Sequence, residues 1–159
     1  MLASASAATP WGIHAHEVRA EVDLRNGLPR FQIVGLPDTA VRESRERVQS
    51  AVINSGFRLP GRVVVINLAP ADLRKEGSHL DLAIALALLA AHGQLPTEAL
   101  EGRLFTGELG LDGTIRPVRG ALAIADLARR LDKRELVLPV DNAAEAASMD
   151  GVAAVGVLS

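Results

Sequence analysis

The 159-residue sequence contains no cysteine, and its few aromatic side chains are three phenylalanines and one tryptophan. The absence of cysteine excludes disulfides, thiolate metal sites, iron–sulfur clusters and cysteine nucleophiles. The shortage of aromatics argues against single-stranded nucleic-acid binding by base stacking, which uses aromatic platforms. Lysine is also scarce, since only Lys75 and Lys133 accompany 15 arginines. A mechanism that requires a catalytic lysine therefore has two candidates.

Long apolar runs and a strong charge of one sign are missing as well. The longest apolar run, residues 82–91, is about half the length that a membrane span needs. The first ten residues, MLASASAATP, lack the basic and apolar parts of a secretory signal, so we expect a cytoplasmic protein without membrane contact. The net charge is −2. Residues 1–75 hold ten basic and seven acidic side chains, which is compatible with either chance scatter or a local basic face.

The length fits one domain, which we place at residues 10–159 behind a disordered segment 1–9. Apolar and polar residues alternate on both sides of the turn dipeptide Asn26–Gly27, which predicts a β-hairpin. The β-branched run 63–68 predicts a strand buried on both faces. Further strands are predicted over residues 103–109, 114–116, 135–138 and 152–158.

Helical periodicity appears between these strands. Residues 38–54 have an apolar and an arginine-rich face and are followed by Gly56, a helix-ending residue. Residues 80–91 are apolar on all sides, which predicts a helix buried against the sheet. Two shorter helices are predicted over residues 121–131 and over residues 141–148, the latter capped by Asp141. The fold class is therefore α+β, with a mixed β-sheet covered by helices.

Motifs for nucleotides and metals are not recognised. Gly107, Gly110 and Gly113 match neither the dinucleotide-binding fingerprint nor the Walker A pattern. His14 and His16 share one face of an extended segment, but two histidines without a third ligand do not form a zinc site. We expect no cofactor and no metal in this domain.

The loop Arg74-Lys75-Glu76-Gly77-Ser78-His79-Leu80-Asp81 is the most chemically dense part of the sequence. One interpretation makes Ser78 or His79 a nucleophile with Lys75 as the base. The other makes Ser78 the N-cap of the buried helix, with Asp81 completing an approximate capping box. The capping interpretation is the more economical one.

Three blocks that include this loop resemble the N-terminal domain of magnesium chelatase-like, competence-associated AAA+ ATPases. They are NGLPRFQIVGLPDTAVRESRERVQSAVINSGF (26–57), INLAPADLRKEGSHLDLAIALALLA (66–90) and GELGLDGTIRPVRGAL (107–122). The resemblance covers residues 10–158. It implies a fold similar to the Lon protease domain and to domain 2 of a ribosomal small-subunit protein. It also implies an AAA+ module downstream that binds ATP and magnesium.

The resemblance to Lon proteases can be followed residue by residue. The Lon loop K-D-G-P-S-A-G corresponds to Lys75–Asp81, which places His79 at the position of the nucleophilic serine. The Lon pattern P-x-G-G-L-K corresponds to residues 117–122, which places Leu122 at the position of the catalytic lysine. An apolar side chain cannot act as a base, so the resemblance implies a protease scaffold without catalytic residues.

The leading hypothesis is therefore a non-proteolytic accessory domain of a hexameric ATPase that performs DNA branch migration. Its partners would be its own downstream AAA+ module and DNA. The alternatives are a subunit-assembly or protein-interaction module without DNA contact and, third, a residual Ser78/Lys75 peptidase. The candidate contact residues for DNA or a partner are Arg42, Arg45, Arg47, Arg58, Arg62, Arg74 and Lys75.

Overall fold

A seven-stranded mixed sheet, with the order β3-β4-β2-β1-β5-β8-β9, forms the centre of the computed structural model, which describes residues 1–159. The strands are β1 (Leu2–Trp11), β2 (His14–Arg25), β3 (Arg30–Val34), β4 (Val63–Ala69), β5 (Arg103–Phe105), β6 (Glu108–Leu109), β7 (Ile115–Arg116), β8 (Glu135–Pro139) and β9 (Ala154–Val157). The helices are α1 (Thr39–Asn54), α2 (Asp81–Ala91), α3 (Ala121–Arg130) and α4 (Val140–Ala147), with a 3₁₀ turn at Thr97–Leu100. The α+β class and the mixed sheet predicted from the sequence are confirmed.

The prediction of a disordered segment 1–9 is wrong, because these residues form most of β1, the middle strand of the sheet. β1 pairs antiparallel with β2 and parallel with β5. Ala3, Ala5 and Ala7 are buried in the same apolar cluster as α2. The alternation of alanine and serine in this segment has the period of a strand, but its small side chains give it a weak hydrophobic signal.

The predicted hairpin of β2 and β3 is also wrong. β4 lies between these strands and pairs antiparallel with β2 and parallel with β3. β4 carries the β-branched run and is the most apolar strand of this half of the sheet. Its position between two other strands buries it more fully than an edge position would. The turn dipeptide Asn26–Gly27 changes the direction of the chain without joining paired strands.

The helices follow the predictions more closely. Asp38 caps α1, since its Oδ1 accepts the Val41 N–H at 2.7 Å, and Gly56 follows the helix at φ +86°. The strand predicted over residues 103–109 is divided between β5 and β6, and β6 pairs antiparallel with β7, which lies in the strand predicted over residues 114–116. The predicted Asp141 cap is wrong, because α4 already begins at Val140.

Helices cover the two faces of the sheet unequally. On one face, α1 and α2 pack over β1 to β4 and form the larger apolar core. On the other face, α3 and α4 form a second core with Leu104, Leu136 and Leu138, which belong to β5 and β8. Residues that alternate along β5 and β8 therefore face either the second core or the side that carries α1 and α2. None of the helices combines the length and the apolar character that a membrane-spanning segment requires.

Candidate functional site

Ser78 lies in the loop that leads into α2, but it does not cap that helix. The N-cap position is Leu80, which has no capping side chain, and the Ser78 hydroxyl instead donates to Glu108 Oε2 at 2.5 Å. Arg116 Nη1 lies 3.8 Å from the other oxygen of the same carboxylate. The capping-box prediction is therefore wrong, since Ser78 connects the loop to the β6–β7 hairpin rather than to the helix backbone.

Lys75 is fully buried and joins the loop before α2, to which it belongs, to the loop before α1. Its Nζ donates to the carbonyl of Gly35 at 2.6 Å and also to the carbonyl of Pro70. Its own backbone carbonyl accepts the Asp38 N–H at 3.0 Å, which is a second link to the loop before α1. Burial lowers the pKa of Lys75 below its ordinary value. The amine is bonded to backbone carbonyls rather than to Ser78, which has its own partner, so the structure does not form a Ser78–Lys75 pair.

Asp81 is the centre of a buried network that the sequence did not reveal. Its side chain is fully buried and accepts the Ser44 hydroxyl at 2.5 Å and the Leu109 N–H at 3.1 Å. Arg47 donates its Nε to Oδ2 at 2.6 Å and its Nη2 to Oδ1 at 3.1 Å. The hydrogen bond to Asp81 raises the pKa of Arg47 above its ordinary value. One carboxylate thus joins α1, α2 and β6.

His79 occupies the position that the Lon resemblance gives to the nucleophile. Its Nε2 lies 3.3 Å from the carbonyl of Arg119, and its buried Nδ1 has no partner. Leu122, three residues after Arg119 and in the first turn of α3, is exposed. The two positions that carry the serine and the lysine in Lon proteases are therefore occupied by His79 and Leu122. Ser78 and Lys75 are hydrogen-bonded to other groups.

His79 gives the fold a pH dependence that can be measured. Desolvation lowers the pKa of His79 below 6.5, so below that pH the unfolded chain binds a proton that the folded chain resists. We expect the free energy of unfolding to fall as pH drops from 7.5 to 5.5, and the decrease to be smaller in His79→Gln. Urea unfolding at both pH values measures this, with His14→Gln, a change at an exposed histidine, as the control. Equal decreases in all three proteins would contradict the assignment.

The structure separates the seven basic candidates into two groups. Arg47 and Lys75 are bonded within the core region, so their prediction as surface contacts is wrong. The exposed candidates are Arg42, Arg45, Arg58, Arg62 and Arg74. The sequence pattern could not distinguish these groups, because arginine on a helix face has the same spacing whether its partner is solvent or a distant aspartate.

Four arginines form a surface that we call the arginine stripe, defined by Arg30, Arg42, Arg45 and Arg62. Arg42, Arg45 and Gln49 follow one another at intervals of three and four residues and therefore share one side of α1. Gln49 also lines a surface pocket of about 220 Å³ together with Arg30 and Arg62. Arg45 has an exposed partner, since its Nε lies 3.1 Å from Glu46. Arg30 was not among the predicted contacts.

Comparison with known proteins gives consistent matches. The sequence model of the family described as subunit ChlI of Mg-chelatase matches residues 20–142. The uncharacterized protein YifB is 49% identical over 134 residues in Salmonella typhimurium and 45% identical over 140 residues in Escherichia coli. The competence protein ComM of Haemophilus influenzae is 46% identical over 135 residues. These matches cover 84–88% of the chain but only 26–28% of each relative, so the chain spans about a quarter of their length.

Proposed function

Because the chain belongs to the Mg-chelatase subunit ChlI family, and resembles a competence protein within it, we propose that it is a non-proteolytic accessory domain of a longer ATPase. In this proposal the domain contacts DNA while a separate AAA+ module binds ATP and magnesium and drives branch migration as a hexamer in the cytoplasm. The observation that carries the DNA-contacting role is the arginine stripe, an exposed basic surface built from one side of α1 and the adjoining pocket.

The polar loop around Ser78 supports the non-proteolytic part of the proposal. In the Ser–Lys mechanism that the Lon resemblance implies, the lysine amine is the base and must lie within hydrogen-bonding reach of the serine hydroxyl. The partner of Ser78 is the Glu108 carboxylate, and the amine of Lys75 donates to two backbone carbonyls instead of to Ser78. We expect a serine-reactive fluorophosphonate to leave Ser78 unlabelled in folded protein. Specific labelling that disappears in Ser78→Ala would support the peptidase alternative instead.

The stripe supports DNA contact because three of its four arginines have no carboxylate partner. Arg30, Arg42 and Arg62 are exposed and have no carboxylate within 4 Å, unlike Arg47. Guanidinium groups bind phosphate oxygens through paired hydrogen bonds, and each neutralised phosphate releases counterions. An overall charge of −2 does not oppose such contact, since the local surface decides it.

Fluorescence anisotropy with a labelled forked DNA tests this role. We expect the triple change Arg42→Ala, Arg45→Ala and Arg62→Ala to weaken binding at low salt by about ten- to hundredfold, or about 1.4–2.8 kcal/mol. The matched control removes three exposed arginines from the α3 region: Arg129→Ala, Arg130→Ala and Arg134→Ala. Equal weakening by both triple variants would show a general charge effect. Absence of binding by the wild-type chain would favour an assembly or protein-interaction module, which light scattering would detect as a stable oligomer.

A further inference from the structure

Part of one face of the sheet is not covered by any helix. α1 and α2 end short of β5, β8 and β9, which leaves a groove of about 600 Å³ on that face, lined mostly by hydrophobic side chains. Phe105, Val137 and Val155 occupy paired positions on the three neighbouring strands and line its floor. Leu86, from α2, and Phe57 also line the groove.

The strands beneath the groove pair in parallel, and parallel strands are normally covered by helices on both faces. β1, β5, β8 and β9 are joined by parallel pairing, and parallel sheets are found almost only where both faces are buried. Here α3 and α4 cover one face of these strands, while Val155 on the other remains 38% exposed. Phe57 is 41% exposed at the same groove. An apolar surface of this kind typically marks a contact site.

The position of Ser159 indicates what lies in the groove. Ser159 is itself a lining residue, so any chain attached to it starts at the groove. The N-terminus lies away from the groove, because the Met1 amino group donates to the Leu24 carbonyl on β2. The matched part is only 26–28% of each relative, so a longer protein of this family has chain available to cover the groove.

We propose that the residues directly following Ser159 in the longer protein form an amphipathic helix that fills this groove. Its apolar side packs on Phe105, Val137 and Val155, and its polar side faces solvent. The ion pair between Arg103 and Glu135, with a distance of 2.6 Å, lies at the edge of the groove and marks the polar boundary of the contact. The helix completes the second layer over the parallel strands, and the domain then comprises more residues than the matched part.

Thiol labelling of Val155→Cys tests the proposal, because the chain has no other cysteine. The variant is made in the 159-residue chain and in the same chain extended by its next ~30 natural residues, enough for a helix of about 30 Å with a linker. We expect maleimide labelling at this position to be at least tenfold slower in the extended chain. Leu28→Cys, at an exposed position remote in sequence, is the control and should be labelled equally in both.

Three results would overturn the proposal. Equal labelling rates of Val155→Cys in the two chains would mean that the following residues do not cover the groove. Protection that appears only in the full-length protein would assign the groove to a distant segment or another module. Slow labelling in the 159-residue chain that increases on dilution, together with a dimer in light scattering, would assign the groove to a second copy.

Discussion

Asp81→Ala is expected to lower the free energy of unfolding by about 3–5 kcal/mol, the usual cost of breaking a buried ion pair by removing one partner. The change leaves the largely buried guanidinium of Arg47 without its carboxylate and leaves Ser44 and the Leu109 N–H without their acceptor. It also removes the only side chain that bonds to α1 and β6 from within α2. Urea denaturation monitored by circular dichroism measures the effect.

Glu43→Ala is the matched control for the Asp81 prediction. Glu43 also faces Arg47, at 3.8 Å, but its side chain is 63% exposed. Exposed ion pairs contribute about 0–1 kcal/mol, so this change should be nearly neutral. Similar costs for the two substitutions, or a cost below about 1 kcal/mol for Asp81→Ala, would contradict the view that this network secures the site.

Gly35→Ala should be the most damaging glycine substitution, costing about 2–5 kcal/mol. Gly35 has φ +109°, and a methyl group there would lie 2.3 Å from the Leu68 carbonyl oxygen on β4. The cost combines backbone strain of about 1–2 kcal/mol with overpacking of about 1–3 kcal/mol, because the contact is backbone and cannot move aside freely. The same change displaces the carbonyl that accepts a hydrogen bond from Lys75.

Gly56→Ala separates the two contributions to that cost. Gly56 has φ +86°, but no atom lies within 4 Å of a methyl group placed there. We expect only the backbone term, about 1–2 kcal/mol, in the same urea experiment. If Gly35→Ala were no more costly than Gly56→Ala, the close approach of the β3–α1 loop to β4 would not constrain the fold.

The sequence predicted the elements whose signals are local. α1 and α2 depend on the periodicity of their apolar residues, and the end of α1 depends on Gly56; these signals are close in sequence to the helices that they shape. The order of strands is not local. The alternation in β2 and β3 is equally compatible with pairing to each other or to β4, and the strand that separates them is about 30 residues further along the chain.

The sequence predicted where the site lies, in the loop before α2, but not which residues form hydrogen bonds there. The 74–81 loop was recognised because it concentrates charge ahead of an apolar helix. The partners of Asp81 lie 28 to 37 residues away, so its function as a network centre has no signature in the loop itself. Lys75 was misjudged for the same reason, since a buried lysine is distinguished from an exposed one only by tertiary contacts.

The non-proteolytic assignment and the DNA-contact assignment depend on the same separation of charges. Arg47 and Lys75 are engaged inside the molecule, while Arg30, Arg42 and Arg62 are exposed. The internal charges are bonded within the fold, and the external ones form the surface that we propose for DNA contact. Changes at Asp81 should therefore reduce stability, and changes in the stripe should reduce DNA affinity without comparable loss of stability.

The most direct test of the central claim is the salt dependence of DNA binding. A plot of log Kd against log salt concentration for the wild-type chain on forked DNA should be steep, because each phosphate contact contributes about 0.7–0.9 to the slope. In the Arg42→Ala, Arg45→Ala, Arg62→Ala variant we expect the slope to decrease by about 2–3, as three contacts are lost. An unchanged slope in this variant, or binding that salt does not affect, would contradict the claim that the arginine stripe contacts DNA.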